Sequence, residues 1–161
     1  LEALKDYAHL LRDDPVYGPR AQRLVALTFD LAQWLPREFA AASERAGGLV
    51  RQPGASPVVF HPPCTLQHGQ QVRGEVEQLL VSLGVTVQPV TDSHLCCGSA
   101  GTYSVLQPEL AGQLRERKLA NLQAGGPATV LSANIGCIAH LQGGTDTPVR
   151  HWIEWLDEAI A

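Results

Sequence analysis

Apolar positions change their period once along this chain, near residue 57, and the change divides it into two parts. Before that point they recur three and four residues apart. Residues 1–12 read as one helix, and a second is expected from about Pro19, with Leu24, Leu27, Leu31 and Leu35 along one stripe. Asp13-Asp14-Pro15 separates the two, Pro36 kinks or restarts the second, and Gly47-Gly48 ends it. Gln52-Pro53-Gly54-Ala55-Ser56-Pro57 reads as a linker.

After the linker, short apolar runs alternate with longer amphipathic stretches. Val58-Val59-Phe60, Val85 to Val90 and Ala128 to Ser132 have the character of buried parallel strands, and Thr147 to Arg150 is a fourth candidate. Between them lie a helix carrying Val72, Val76, Leu79, Leu80 and Leu83, a second over roughly residues 107–123, and a short one over Ile138 to Leu141. A last helix presents Trp152, Trp155, Leu156, Ala159 and Ile160 on one stripe. Strand and helix in alternation predict an α/β fold: a small parallel sheet of three to four strands with helices on both faces, preceded by a helical N-terminal extension. The expected division is a lead-in over residues 1–56 and an α/β domain over 57–161.

Composition adds bounds. Of 161 residues, 45% are hydrophobic, enough for a proper core. The net charge is −4 and no basic stripe runs along any segment, which argues against nucleic acid as a partner. No apolar run has the length of a membrane span, and no signal peptide is read. The chain starts at Leu1 and contains no methionine, so a fragment of a longer protein is expected.

The cysteines change the picture most. Four are present, and Cys96 and Cys97 are adjacent, an arrangement ill-suited to a pair of disulfides. Without an export signal, metal binding or thiol chemistry is the reading to prefer. Each cysteine follows a predicted strand: Cys64 the first, Cys96 and Cys97 the second, Cys137 the third. Ligands of such sheets bind beyond the carboxyl ends of the strands, so the four are expected to converge on one metal site. Thiolate sulfur selects iron–sulfur clusters, zinc or Cu(I). Four cysteines match the ligand count of a 4Fe–4S cluster, with zinc as the alternative. Thiol–disulfide chemistry at Cys96 and Cys97, or a metal-free docking role, are further rivals.

Around the cysteines, Gly98 and Gly101 in Cys-Cys-Gly-Ser-Ala-Gly would let backbone amides approach a cluster. Cys137-Ile138-Ala139-His140 is a C-x-x-H, which makes His140 a candidate fifth ligand. His61 and His151, near predicted strand ends, are read as hydrogen-bonding neighbours of the metal site, not ligands, and no Ser-His-Asp set or carboxylate pair suggests catalysis.

His61-Pro62-Pro63-Cys64, Leu95-Cys96-Cys97-Gly98-Ser99-Ala100-Gly101, Ala133-Asn134-Ile135-Gly136-Cys137 and Pro148-Val149-Arg150-His151-Trp152 together resemble the cysteine-rich CCG domain. That domain occurs in heterodisulfide reductase subunits, lactate-utilisation proteins and anaerobic glycerol-3-phosphate dehydrogenase. The likeness is greatest to the C-terminal CCG repeat of glycolate oxidase iron–sulfur subunits. The resemblance implies an electron-transfer role in a 2-hydroxy-acid-oxidising complex, with FAD on a separate flavin subunit that feeds electrons to the iron–sulfur subunit. It implies a cytoplasmic setting, with peripheral association with the inner face of the membrane left open. This chain departs from the family pattern at His140, where a fifth cysteine is usual.

Overall fold

The computed structural model describes residues 1–46 and 56–160. The glycines at 47 and 48 and the linker over 52–55 lie outside them. Three helices come first: α1 (Glu2–Leu10), α2 (Tyr17–Ala26) and α3 (Leu31–Ala46). The α/β part follows as β1 (Val58–His61), a π-helical turn (Thr65–Gly69), α4 (Glu75–Ser82), β2 (Val87–Gln88), α5 (Tyr103–Leu106), α6 (Pro108–Gln123), β3 (Thr129–Ser132), α7 (Ile135–Gln142), β4 (Val149–His151) and α8 (Trp152–Ile160).

The strands form one four-stranded sheet in the order β2-β1-β3-β4, and every pairing is parallel. The expected α/β fold, with its helical N-terminal stretch, is therefore the one observed. From β1 the chain first moves to one edge, then returns past β1 to build β3 and β4 on the other side. The direction of winding reverses between β1 and β3. In open parallel sheets, that reversal leaves a crevice at the carboxyl ends of the two strands.

Strand alternation sorts the core into two layers. Val58, Phe60 and Leu131 face Ala32 of α3, Val76, Leu79 and Leu80 of α4, and Trp152 and Leu156 of α8. Val59, Val130 and Val149 face the other way, against Leu119 and Leu122 of α6 and Leu141 of α7. Cys97 and Cys137 belong to this second layer. Because successive strand side chains point to opposite faces, His61 and its register partner Ser132 fall on the same side as Val59 and Val130. The sheet thus aims two polar residues at the layer that holds the cysteines.

Several boundaries differ from those expected. The stripe through Leu24, Leu27, Leu31 and Leu35 is two helices, not one. Asp30 breaks it: its carboxylate accepts the Ala32 amide at 2.9 Å and opens α3. Leu27 is left 70% exposed, and of the four leucines only Leu35 packs against the core. Pro36 sits inside α3. Val72 precedes α4 and is buried from a loop. The second strand shrinks to Val87–Gln88, because the Val85 amide bonds back to Leu80 O at 3.0 Å and closes the turn after α4.

Candidate metal centre

Three segments bring cysteines to the carboxyl edge of the sheet. β1 ends at His61 and runs through Pro62-Pro63 to Cys64, which caps the π-helical turn. The loop after β2 delivers Cys96 and Cys97. β3 ends at Ser132 and leads to Asn134, whose side-chain oxygen accepts the amides of Gly136 at 2.9 Å and Cys137 at 3.2 Å. That cap starts α7 and sets Cys137 in its first turn, where the helix dipole favours a thiolate. Cys64, Cys96, Cys97 and Cys137 line one cavity of about 160 Å³, together with Pro63, Thr65, Ser99, Ala100, Gly101 and Asn134. None of the four is in a disulfide.

The thiols form a chain of interacting neighbours, Cys64 with Cys96, Cys96 with Cys97, and Cys97 with Cys137. Cys137, stabilised by its Cys97 neighbour, is held below the ordinary thiol range. Cys97 is pushed up to about 11, first by Cys137. Cys96 is raised further, chiefly by Cys97 and then by burial, and Cys64 is raised by burial and then by Cys96. Several thiolates this close would repel one another, and a bound metal cation would relieve that repulsion.

Backbone amides supplement the thiols. The Gly98 amide donates to Cys96 Sγ at 3.3 Å, and the Ser99 amide stabilises the Cys97 thiolate. Gly98 has φ +93°, and a Cβ there would come within 2.5 Å of the Ala111 carbonyl of α6. Gly101 has φ +57° but open space around it. Gly98→Ala is therefore expected to cost roughly 2–4 kcal/mol, about 1–2 from the left-handed backbone and the remainder from displacing α6. Gly101→Ala should cost only the backbone part, about 1–2 kcal/mol. Denaturant midpoints of the two variants measure the difference.

The carbonyls of the loop before Cys96 meet a buried cation. Lys118, 1% exposed, donates its ammonium to Asp92 O at 3.0 Å and Ser93 O at 2.9 Å. Its charge acts on Cys97, Cys64, Cys96 and Cys137, while burial pulls its own pKa down. Gln67 is buried and ties the β1 segment together by donating to Pro62 O at 3.1 Å. Ser132 Oγ donates to His61 O at 3.0 Å and clips the end of β3 to the end of β1.

The histidines fall in different places. His61 is wholly buried, both ring nitrogens lack a hydrogen-bond partner, and burial, then the Lys118 charge, pushes its pKa down to about 3. One of its nitrogens, Cys97 Sγ and Cys137 Sγ all lie within 4.8 Å of one another. His140 lines an adjoining cavity with Ser99, Gly101, Ser104 and Asn134, and its Nε2 lies 3.3 Å from the Ala111 carbonyl. His151 Nδ1 accepts the Ile153 amide at 3.3 Å and helps start α8. Lys118 is a part of the site that motif spacing does not single out. Its one signal in the sequence is a charged residue on the buried stripe of α6, with Ala111, Leu119 and Leu122.

A parallel sheet whose winding reversal is lined by cysteines from three strand ends defines a class of cysteine-rich α/β domains. The chain belongs to the cysteine-rich CCG domain family, whose model matches residues 58–142. It is 44% identical over 157 residues to the glycolate oxidase iron-sulfur subunit of Escherichia coli, a match covering 98% of this chain and 37% of that protein. It is 28% identical over 163 residues to lactate utilization protein A of Exiguobacterium sp., covering 98% of this chain and 64% of the relative. A lactate utilization protein A from Geobacillus thermodenitrificans is 30% identical over 163 residues, covering 96% and 64%. The chain therefore spans less than two thirds of each of these relatives.

Proposed function

We propose that this chain is an iron–sulfur electron-transfer domain of a complex that oxidises a 2-hydroxy acid of the glycolate type. Cys64, Cys96, Cys97 and Cys137 would hold the cluster, a 4Fe–4S centre by ligand count. A flavin subunit carrying FAD would oxidise the substrate and pass electrons to this centre, which relays them onward. The observation that carries the reading is the cavity at the winding reversal, lined by all four cysteines. The amides aimed at Cys96 and Cys97 are the donors that cluster sulfurs use. The relatives' names, glycolate oxidase iron-sulfur subunit and lactate utilization protein A, point to the same kind of complex. No carboxylate or nucleophile–base pair lines the cavity, which supports an electron-transfer role over proton abstraction from substrate.

One observation favours a second reading. The compact set of His61, Cys97 and Cys137, within 4.8 Å, is on the scale of a single ion, and zinc takes such mixed sulfur and nitrogen donors. Iron, acid-labile sulfide and zinc counted together in the anaerobically isolated complex decide between the two. Iron and sulfide in equal amounts with visible charge-transfer absorption support the cluster. Stoichiometric zinc without sulfide replaces it with a structural site.

No helix among the described residues is long and apolar enough to cross a membrane. The setting we propose is the cytoplasm, with peripheral association with the inner face of the membrane through other parts of the complex.

A further inference from the structure

The four cysteines account for a metal site, but not for the residue buried beside them. A neutral imidazole needs a donor partner for one nitrogen and an acceptor for the other, and leaving such groups dry and unpaired costs about 1–3 kcal/mol each. His61 is 0% exposed and neither nitrogen has a partner. Nor are the sulfurs that partner, since no hydrogen bond joins either nitrogen to Cys97 or Cys137 although all three donor atoms fit within 4.8 Å. Hydrophobic packing does not explain its position either. The same strand places Val58, Val59 and Phe60 in the core, and a fourth apolar residue would serve there equally well. The sheet register fixes the ring: His61 lies beside Ser132, whose hydroxyl clips the His61 carbonyl at 3.0 Å, so the side chain is held toward the layer of Cys97 and Cys137.

We propose that His61 is a direct nitrogen ligand of the metal centre, forming its buried face with Cys97 and Cys137 while the half-buried Cys64 and Cys96 close its mouth. This rests on the metal-site reading above but not on which metal is bound. A metal bound there supplies the partner that one ring nitrogen lacks. In a four-iron cluster the imidazole would be a nitrogen donor beside the cysteine thiolates. In a zinc site it is the nitrogen of a sulfur-rich tetrahedron.

The test uses the intact protein isolated anaerobically, with and without ¹⁵N-labelled histidine. Pulsed EPR of the reduced cluster should show a strongly coupled histidine nitrogen that changes with the isotope. The coupling should vanish in His61→Gln and persist in His140→Gln. If the isolated protein holds zinc instead, X-ray absorption at the zinc edge should show a nitrogen at about 2.0–2.1 Å that His61→Gln removes. The labelled unmutated protein keeps the test valid should the variant fold poorly. A loaded centre with sulfur ligands only overturns the His61 proposal and leaves the cluster intact. A nitrogen signal that survives in His61→Gln and disappears in His140→Gln also overturns it. Protein with no metal at all overturns both this proposal and the reading it rests on.

Discussion

Cys97→Ala is expected to empty the centre and stop electron transfer through this domain, while the protein stays folded. Cys97 is the middle of the thiol chain, in contact with Cys96 on one side and Cys137 on the other. It is also 1% exposed and shares the compact donor group with His61. Its loss cuts the chain in two and removes a soft ligand for which no substitute is at hand. Metal content should fall by more than the 10–100-fold typical of changes outside the ligand set. Stability of the metal-free protein should drop only by about 1 kcal/mol, since a free cysteine packs as a small hydrophobe and alanine removes a single sulfur. In the assembled complex, turnover with a downstream acceptor should be lost. Reduction of the flavin by substrate, followed by stopped flow, should keep its rate. A large fall in that first half-reaction would move this domain from relay to the site of substrate oxidation. Full iron content in Cys97→Ala would show that the cluster is held elsewhere.

Much of this centre is legible in the amino-acid sequence. Four cysteines after three strand-like runs imply one edge of a parallel sheet, because parallel strands all end on the same side. The buried runs at Val58 and Val130 are legible for the same reason: apolar on both sides, they suit only a strand covered by helices on each face. What is less legible depends on local hydrogen bonds that leave no periodic trace. Asp30 splits an uninterrupted leucine stripe by capping α3. The π-helical turn at Thr65–Gly69 and the single turn of α5 are each too short to set a hydrophobic period.

The histidines illustrate the limit of spacing as a guide. C-x-x-H singles out His140 because its neighbours in sequence look like a ligand pair. A residue three positions from Cys137 on α7 does project near the site, but its nitrogen reaches the Ala111 carbonyl of α6. His61 precedes Cys64 by the same interval and draws less notice. It is brought to Cys97 and Cys137 by strand alternation and the β1–β3 register, which are properties of the assembled sheet. Gly98 carries a related lesson. Its place beside two cysteines suggests that it is small to make room for a cluster, whereas the nearest obstacle to a side chain is the backbone of α6.

Lys118→Met is expected to have the next largest effect, on stability and on reduction potential together. In the native protein the ammonium satisfies two backbone carbonyls, Asp92 O and Ser93 O, in the loop that carries Cys96 and Cys97. Methionine keeps the length and apolar volume of the side chain but donates nothing. Both acceptors lose their charged donor but keep a second one, the Leu95 amide at 3.0 Å for Asp92 O and Gln67 Nε2 at 3.5 Å for Ser93 O, so unfolding of the metal-free variant should require roughly 1–3 kcal/mol less. The electrostatic effect is separate. Lys118 is a positive charge acting on all four cysteines from a buried position, where solvent screens it little. Adding an electron makes the centre more negative, and a nearby cation favours that state. Its removal should therefore make the centre harder to reduce, moving the potential to more negative values, with metal affinity falling by about 10–100-fold. Lys118→Arg separates the two effects. It restores a charge but not the fit of a compact ammonium between two carbonyls, so the potential should recover more than the stability. Redox titration of the loaded variants alongside chemical denaturation of the metal-free forms measures both. A folded, loaded Lys118→Met with an unchanged potential would reduce Lys118 to a purely structural tie for the Cys96–Cys97 loop.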